Sequence, residues 1–234
     1  MLIPSQSWGE DIAIDFSLVK KNLNVIQNNI AHYKVNIIAV TKYFGLKGIE
    51  AAYKAGLRDF AESRAQDGVK KIEALPEEIR KNSTFHFIGH LQSNKAEKVV
   101  EHFDVIQSVD SLKIAETISK FACLYKKREA VLLQLNNAGE EQKSGYTKEQ
   151  LVQDLPKILS LEGIEVIGLM NMAPMGADES ELERLFNDVR EFRDKLEIQF
   201  KISLPQLSMG MSDDYIVAVR EGATMIRIGR KLFT

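Results

Sequence analysis

Apolar and polar positions along this chain follow two rhythms, and the switch between them recurs from end to end. Ile12, Phe16, Val19, Leu23, Ile26 and Ile30 stand 4, 3, 4, 3 and 4 residues apart, the rhythm of an amphipathic helix of roughly six turns. "VNIIAV" (35–40) is β-branched and continuously apolar, as expected of a strand covered on both faces. "LKGIEAAYKAG" follows as a short helix closed by Gly56. The same alternation predicts further strands at "RDFAES", "TFHFIG", "DVIQSV", "AVLLQL", "EVIGLM", "LPQLS" and "TMIRIG". Helical stretches separate most of them. In "DESELERLFNDVREFRDKL", Leu182, Leu185, Phe186, Val189 and Phe192 share one stripe.

Eight strand–helix units in 234 residues point to a single (β/α)8 TIM barrel with an extra helix in front, with residues 1–234 as one domain. A doubly wound open sheet is the alternative, although it would usually need fewer strands. No Pro- or Ser-rich linker, low-complexity tract or short repeat interrupts the pattern.

Composition changes this picture little. Apolar residues make up 44% and charged ones 27%, ordinary for a globular domain with a sizeable core. A net charge of −2 from 31 basic and 33 acidic residues gives no electrostatic case for nucleic acid or an anionic membrane. The single cysteine, Cys123, excludes an intramolecular disulfide and a Cys-rich metal site. The N-terminus lacks a basic region followed by an apolar stretch, and no segment approaches membrane-spanning length. The expectation is a cytoplasmic domain, monomeric by default because no oligomer seam is legible.

In such barrels chemistry gathers at the C-terminal ends of the strands. Lys42 stands there, sharing a strand face with Ile38 and Val40. If that face points inward, the amine projects from an apolar wall, where desolvation favours the neutral form that can attack a carbonyl and form a Schiff base. The bland alternative is a lysine snorkelling to solvent. In "LSMGMSDD" a strand ends in Ser208, Gly210 permits a close turn, and Ser212 reads as a helix N-cap. Asp213 and Asp214 count against an anion there unless they face away from the pocket. The final strand ends in "RIGR", with Gly229 and Arg230. Loops after the seventh and eighth strands form a recurrent phosphate cradle in these barrels; ordinary turn duty is the plainer reading of each glycine. Arg227, between Ile226 and Ile228, must point inward if the isoleucines pack outward. It then needs a polar partner, for which Glu62 is the bland choice. An imine-forming lysine, a phosphate cradle and an inward arginine together match pyridoxal 5′-phosphate. An arginine cannot readily accept a proton, so the ring nitrogen it faces would stay largely unprotonated and the ring a weak electron sink.

"AVTK", "HFIGHLQSNK", "NNAGEEQKSG", "GLMNMAP", "LSMGMSDD" and "TMIRIG" occur in the order seen in the pyridoxal phosphate homeostasis (YggS/PROSC) family, and the chain resembles that family from about residue 10 onward. The resemblance implies a barrel like the N-terminal domain of alanine racemase, with the cofactor linked to Lys42. It implies a phosphate held by Ser208, Gly210 and the amides around Gly229 and Arg230, and Arg227 facing the ring nitrogen. Asn136, Glu140 and Lys143 match a family loop whose role has no physical assignment here. Glu62-Ser63 departs from the family's Glu-Asn, and the chain stops at Phe233-Thr234 where relatives tend to continue.

Related racemases take a second acid from a C-terminal β domain across a dimer, and this chain ends with the eighth strand. A racemase needs an acid on each face of the substrate. Tyr43 follows Lys42 directly and in extended backbone would point the other way, so it is expected to pack or to line the rim. His90 is the better candidate acid; His86 reads as a core histidine, and the pair as a metal site is a weak proposal. Met170, Met172 and Met175 could line an apolar pocket or simply fill space. The preferred expectation is a non-catalytic carrier that buffers the reactive aldehyde and passes it to apo-enzymes. A racemase-like enzyme of low activity and a cofactor-free Schiff-base aldolase stand as rivals. A second cofactor site and the recipients are not legible.

Overall fold

The computed structural model describes residues 14–139 and 144–234. Eight strands close into one all-parallel barrel in chain order: β1 Asn36–Val40, β2 Asp59–Glu62, β3 Thr84–Phe87, β4 Val105–Val109, β5 Glu129–Leu135, β6 Ile164–Asn171, β7 Gln206–Ser208 and β8 Met225–Ile228. Each predicted strand is present, and β1 pairs with both β2 and β8 to seal the sheet.

The first described helix, α1 (Phe16–Asn29), opens on Asp15, whose carboxylate accepts from the Ser17 amide at 2.8 Å. It is therefore shorter than the six turns read from the sequence, and Ile12 lies outside the described residues. The helices that follow are α2 (Leu46–Lys54), α3 (Ala65–Ala74), α4 (Glu77–Lys81), α5 (Ala96–His102), α6 (Leu112–Leu124), α7 (Lys148–Leu159), α8 (Glu179–Phe200), α9 (Tyr215–Arg220) and α10 (Arg230–Phe233). The stripe read for α8 is buried at all five positions.

Alternation divides each strand between two environments. Ile37, Ala39, Phe60, Phe85, Ile106, Leu207, Ile226 and Ile228 belong to the large core between sheet and helices. Ile38, Val40, Ala61 and Met225 form a separate inner cluster, and Val105, Leu132 and Met170 another. The inward-facing remainder is polar, which is where the site begins.

Candidate functional site

Strand β1 stops at Val40, and the chain then turns before α2. Because Ile38 and Val40 face inward, Lys42 emerges at the mouth as the alternation predicts. It is half-buried and lines a cavity of about 570 Å³ with Val40, Ser63, Arg227, Gly229 and Arg230. Tyr43 lines the cavity, one of the two places expected of it, but not through extended backbone. Residues 42 and 43 lie in the turn rather than in extended backbone, so Tyr43 shares the cavity, its ring centroid 5.1 Å from Lys42 Nζ.

Arg227 points inward, as expected, and is 3% exposed. Its NH1 donates to the backbone oxygen and the hydroxyl of Ser208, both at 2.7 Å, and its NH2 to Asn171 O at 2.8 Å. The Glu62 partnership does not form, because Glu62 lies on the outer side of the wall, bound to Thr41 Oγ1 at 2.6 Å and Lys71 Nζ at 2.8 Å. Burial brings the Arg227 guanidinium down to about 10, against a smaller opposing pull from Asp214. It stays charged at neutral pH.

The loops after β7 and β8 meet at the same cavity, but not through every residue the sequence suggested. Gly229 and Arg230 line it. A Cβ at Gly229 would make ordinary van der Waals contact with Val40 at 3.6 Å, so packing within the protein does not by itself demand glycine there. Ser208 and Gly210 stand behind the lining. The Ser208 hydroxyl is fully buried, donating to Gln107 Oε1 at 2.7 Å while accepting from Arg227. Gly210 has φ +90°, and a Cβ there would fall 2.5 Å from Ala218 Cβ, so glycine is required by backbone shape and by crowding. Its carbonyl accepts from the Arg227 amide at 3.0 Å. Ser212 is not the helix cap: α9 starts after Asp214, and Ser212 Oγ accepts from the Lys231 amide at 3.4 Å. Asp213 and Asp214 both line the cavity rather than facing away, and Asp213 pairs with Arg230 at 3.2 Å.

Met172 and Met175 border the cavity, whereas Met170 is buried in the barrel interior. His90 does not reach it. The ring bonds Asp110 at 3.0 Å and lines a separate recess of about 300 Å³, so His90 fails as an acid opposite Lys42. His86 is a satisfied core histidine, between Asp59 at 2.9 Å and Gln107 at 3.0 Å. The Asn136 amide donates to Tyr146 O at 3.0 Å; Glu140 and Lys143 lie outside the described residues.

One feature of the site carries no mark in the sequence motifs. Lys71, fully buried on α3, donates to Thr41 O at 2.9 Å as well as to Glu62. That carbonyl belongs to the peptide leading into Lys42, so the ion pair anchors the root of the cavity's amine. The available signal is its place three residues after Gly68 on the stripe continued by Ile72 and Leu75.

The donors suit a phosphorylated aromatic aldehyde: an amine at the mouth, a fixed guanidinium on the floor and a glycine-lined space beside a surface arginine. The profile for "Alanine racemase, N-terminal domain" matches residues 14–234. A pyridoxal phosphate homeostasis protein of Synechocystis is 45% identical over 199 residues, 85% of this chain and 90% of that protein. One from Aquifex aeolicus is 38% identical, covering 79% and 80%. Among solved structures, PipY of Synechococcus elongatus with PLP bound superposes with a TM-score of 0.84 at 37% identity, covering 92% of this chain and all of that one. An alanine racemase from Clostridium difficile, 18% identical, superposes at 0.77 over 94% of this chain and 57% of its own; at that identity the likeness concerns the fold alone.

Proposed function

The chain belongs to the pyridoxal phosphate homeostasis protein family, with a barrel of the alanine racemase N-terminal type, and from that premise we propose that it binds pyridoxal 5′-phosphate through Lys42 as a carrier rather than an enzyme. The observation that carries this reading is the convergence of Lys42, Arg227, Gly229 and Arg230 on one cavity. When bound, the cofactor supplies an aldehyde with which a neutral amine can condense. Lys42 is the amine placed for it. Arg227, held by Ser208 and Asn171, would face the ring nitrogen and hold it unprotonated. The backbone at Gly229 and Arg230, with the Arg230 charge, would hold the phosphate, while Ser208 and Gly210 support that end from behind.

The carrier reading is supported by the donor-only arginine, which withholds the proton that would strengthen the ring as an electron sink, and by the homeostasis names of the relatives. The carrier would act in the cytoplasm, releasing its cargo to apo-enzymes. Tyr43 beside Lys42 in the cavity favours one second reading, a weak racemase-like activity.

Two measurements decide. Borohydride reduction of the cofactor-loaded protein, followed by peptide mass mapping, should place the phosphopyridoxyl mass on Lys42, and Lys42→Ala should abolish it. Labelling elsewhere, or none, overturns the assignment. Incubation of the loaded protein with amino acids in deuterated water should leave their α-positions unexchanged on the timescale of enzyme turnover. Rapid exchange would establish the racemase-like reading.

A further inference from the structure

Asp59 on β2, His86 on β3, Gln107 on β4, Ser208 on β7 and Arg227 on β8 are polar residues on the strand faces that look into the barrel. In space these residues form one continuous hydrogen-bonded chain. Asp59 Oδ1 lies 2.9 Å from His86 Nε2, and His86 Nδ1 lies 3.0 Å from Gln107 Nε2. Gln107 Oε1 is 2.7 Å from Ser208 Oγ, which is 2.7 Å from Arg227 NH1. The last four residues are buried; the Asp59 side chain keeps contact with solvent.

The direction of every proton follows from the two ends, a guanidinium that only donates and an Asp59 carboxylate that only accepts, with a neutral imidazole between them. A guanidinium donates and never accepts. Ser208 Oγ therefore accepts from Arg227 and directs its own proton to Gln107 Oε1. That turns the amide NH2 of Gln107 toward His86, so Nδ1 must accept. The imidazole then carries its proton on Nε2 and gives it to Asp59. Turning the Gln107 amide over would require an imidazolium at His86 and would leave the buried Ser208 proton without its acceptor on Gln107. The chain thus runs one way, from the cavity floor to the solvent-touching carboxylate.

We propose that Gln107 is a positioning residue for the cofactor: through Ser208 it orients the Arg227 guanidinium, and the Asp59–His86 pair locks Gln107 in the orientation that does so. The inference rests on the reading of Arg227 as the group facing the cofactor's ring nitrogen. Among the described residues, no carboxylate accepts a hydrogen bond from the guanidinium. Besides Ser208 Oγ its acceptors are two backbone carbonyls, so the hydroxyl is the one side chain among them whose proton can be redirected.

Two substitutions separate positioning from bulk. Gln107→Glu preserves shape and still accepts from Ser208, but its second oxygen now faces Nδ1 and calls for a proton there. Gln107→Leu removes the acceptor altogether, and Ser208→Ala makes the equivalent cut if that variant does not fold. Long-range 1H–15N NMR on the cofactor-free protein reads the first half. His86 should show the neutral Nε2–H pattern in the native protein at pH 7 and the imidazolium pattern in Gln107→Glu. A native Nδ1–H tautomer overturns the chain, whatever the cofactor does.

Dialysis of protein loaded with pyridoxal 5′-phosphate, followed by its visible band, reads the second half. Gln107→Leu should lose the cofactor about tenfold faster, the scale of one misplaced charge-assisted hydrogen bond, with a shifted band; Gln107→Glu should retain it like the native protein. Retention and band unchanged in Gln107→Leu, with the native protein loading normally, overturn the positioning role alone. If the native protein fails to load, the underlying reading of the cavity falls and the positioning role with it, while the NMR result still upholds or overturns the hydrogen-bonded chain by itself.

Discussion

Lys71 and Arg227 are both cations taken out of water, and the fold houses them in opposite ways. Lys71 sits outside the barrel wall, 2.8 Å from Glu62, whose carboxyl burial pushes upward against the pull of that same lysine. Its charge is answered on the spot. Arg227 lies inside, with three acceptors that are all neutral: two carbonyls and a hydroxyl. Burial lowers it from the ordinary guanidinium range to about 10, which disfavours the charge by about 3 kcal/mol at 1.36 kcal/mol per pKa unit. The first cation builds structure, whereas the second is held without a carboxylate bonded to it, Asp214 acting only at longer range. A perturbed, unpaired group lining a cavity points to a ligand that completes it.

The contrast can be broken at several points. Lys71→Met should have the largest effect on stability, a loss of about 3–5 kcal/mol in urea unfolding, because a buried Glu62 is left without its partner. Adding Glu62→Leu should restore most of that loss. A loss under about 1 kcal/mol for the single variant would mean that this pair, like an exposed one, does little.

Glu129 supplies an intermediate case at the start of β5. Burial raises its carboxyl to about 7 despite Lys127 at 2.7 Å. An acid with a raised native pKa binds more protons folded than unfolded between about 4.5 and 7, so its contribution to stability falls as pH rises through that window and is constant above it. Unfolding at pH 5 and pH 8 should differ by up to about 3 kcal/mol on this account, and Glu129→Gln should flatten the slope. The smallest change belongs to Arg227→Met, within about 1 kcal/mol of the native protein, since the desolvation it relieves offsets the hydrogen bonds it removes. That variant should nevertheless fail to retain pyridoxal 5′-phosphate in dialysis. Strong destabilisation without loss of retention would reverse the roles assigned to the two cations.

How far such a distinction is legible in the sequence depends on the geometry each residue obeys. The period of two along a strand sends Lys42 and Arg227 to the interior side, and both are found there. The eight strands are legible for the same reason. The rule weakens where strands end: Tyr43 leaves the extended register at the turn, and Ser208, though inward, is one layer below the lining and committed to Arg227. Lys71 gives no comparable signal, because a lysine within a short helix ordinarily reaches water. Only the packing of α3 against β2, where a Cβ at Gly68 would fall 3.0 Å from Glu62 Cβ, brings its amine to the buried carboxylate. His90 resembles a candidate acid because it follows a strand, but the loop after β3 directs it to Asp110.

The seam between β1 and β8 joins residues 36–39 to residues 225–228, the most distant pairing along the chain in this sheet. Contacts of such separation carry the largest loop-closure cost in the sheet. The amine comes from one side of that seam and the guanidinium and Gly229 from the other. During synthesis, therefore, a nascent polypeptide displays Lys42 long before residues 225–230 emerge, and the cavity they share can close only once both edges of the sheet are present.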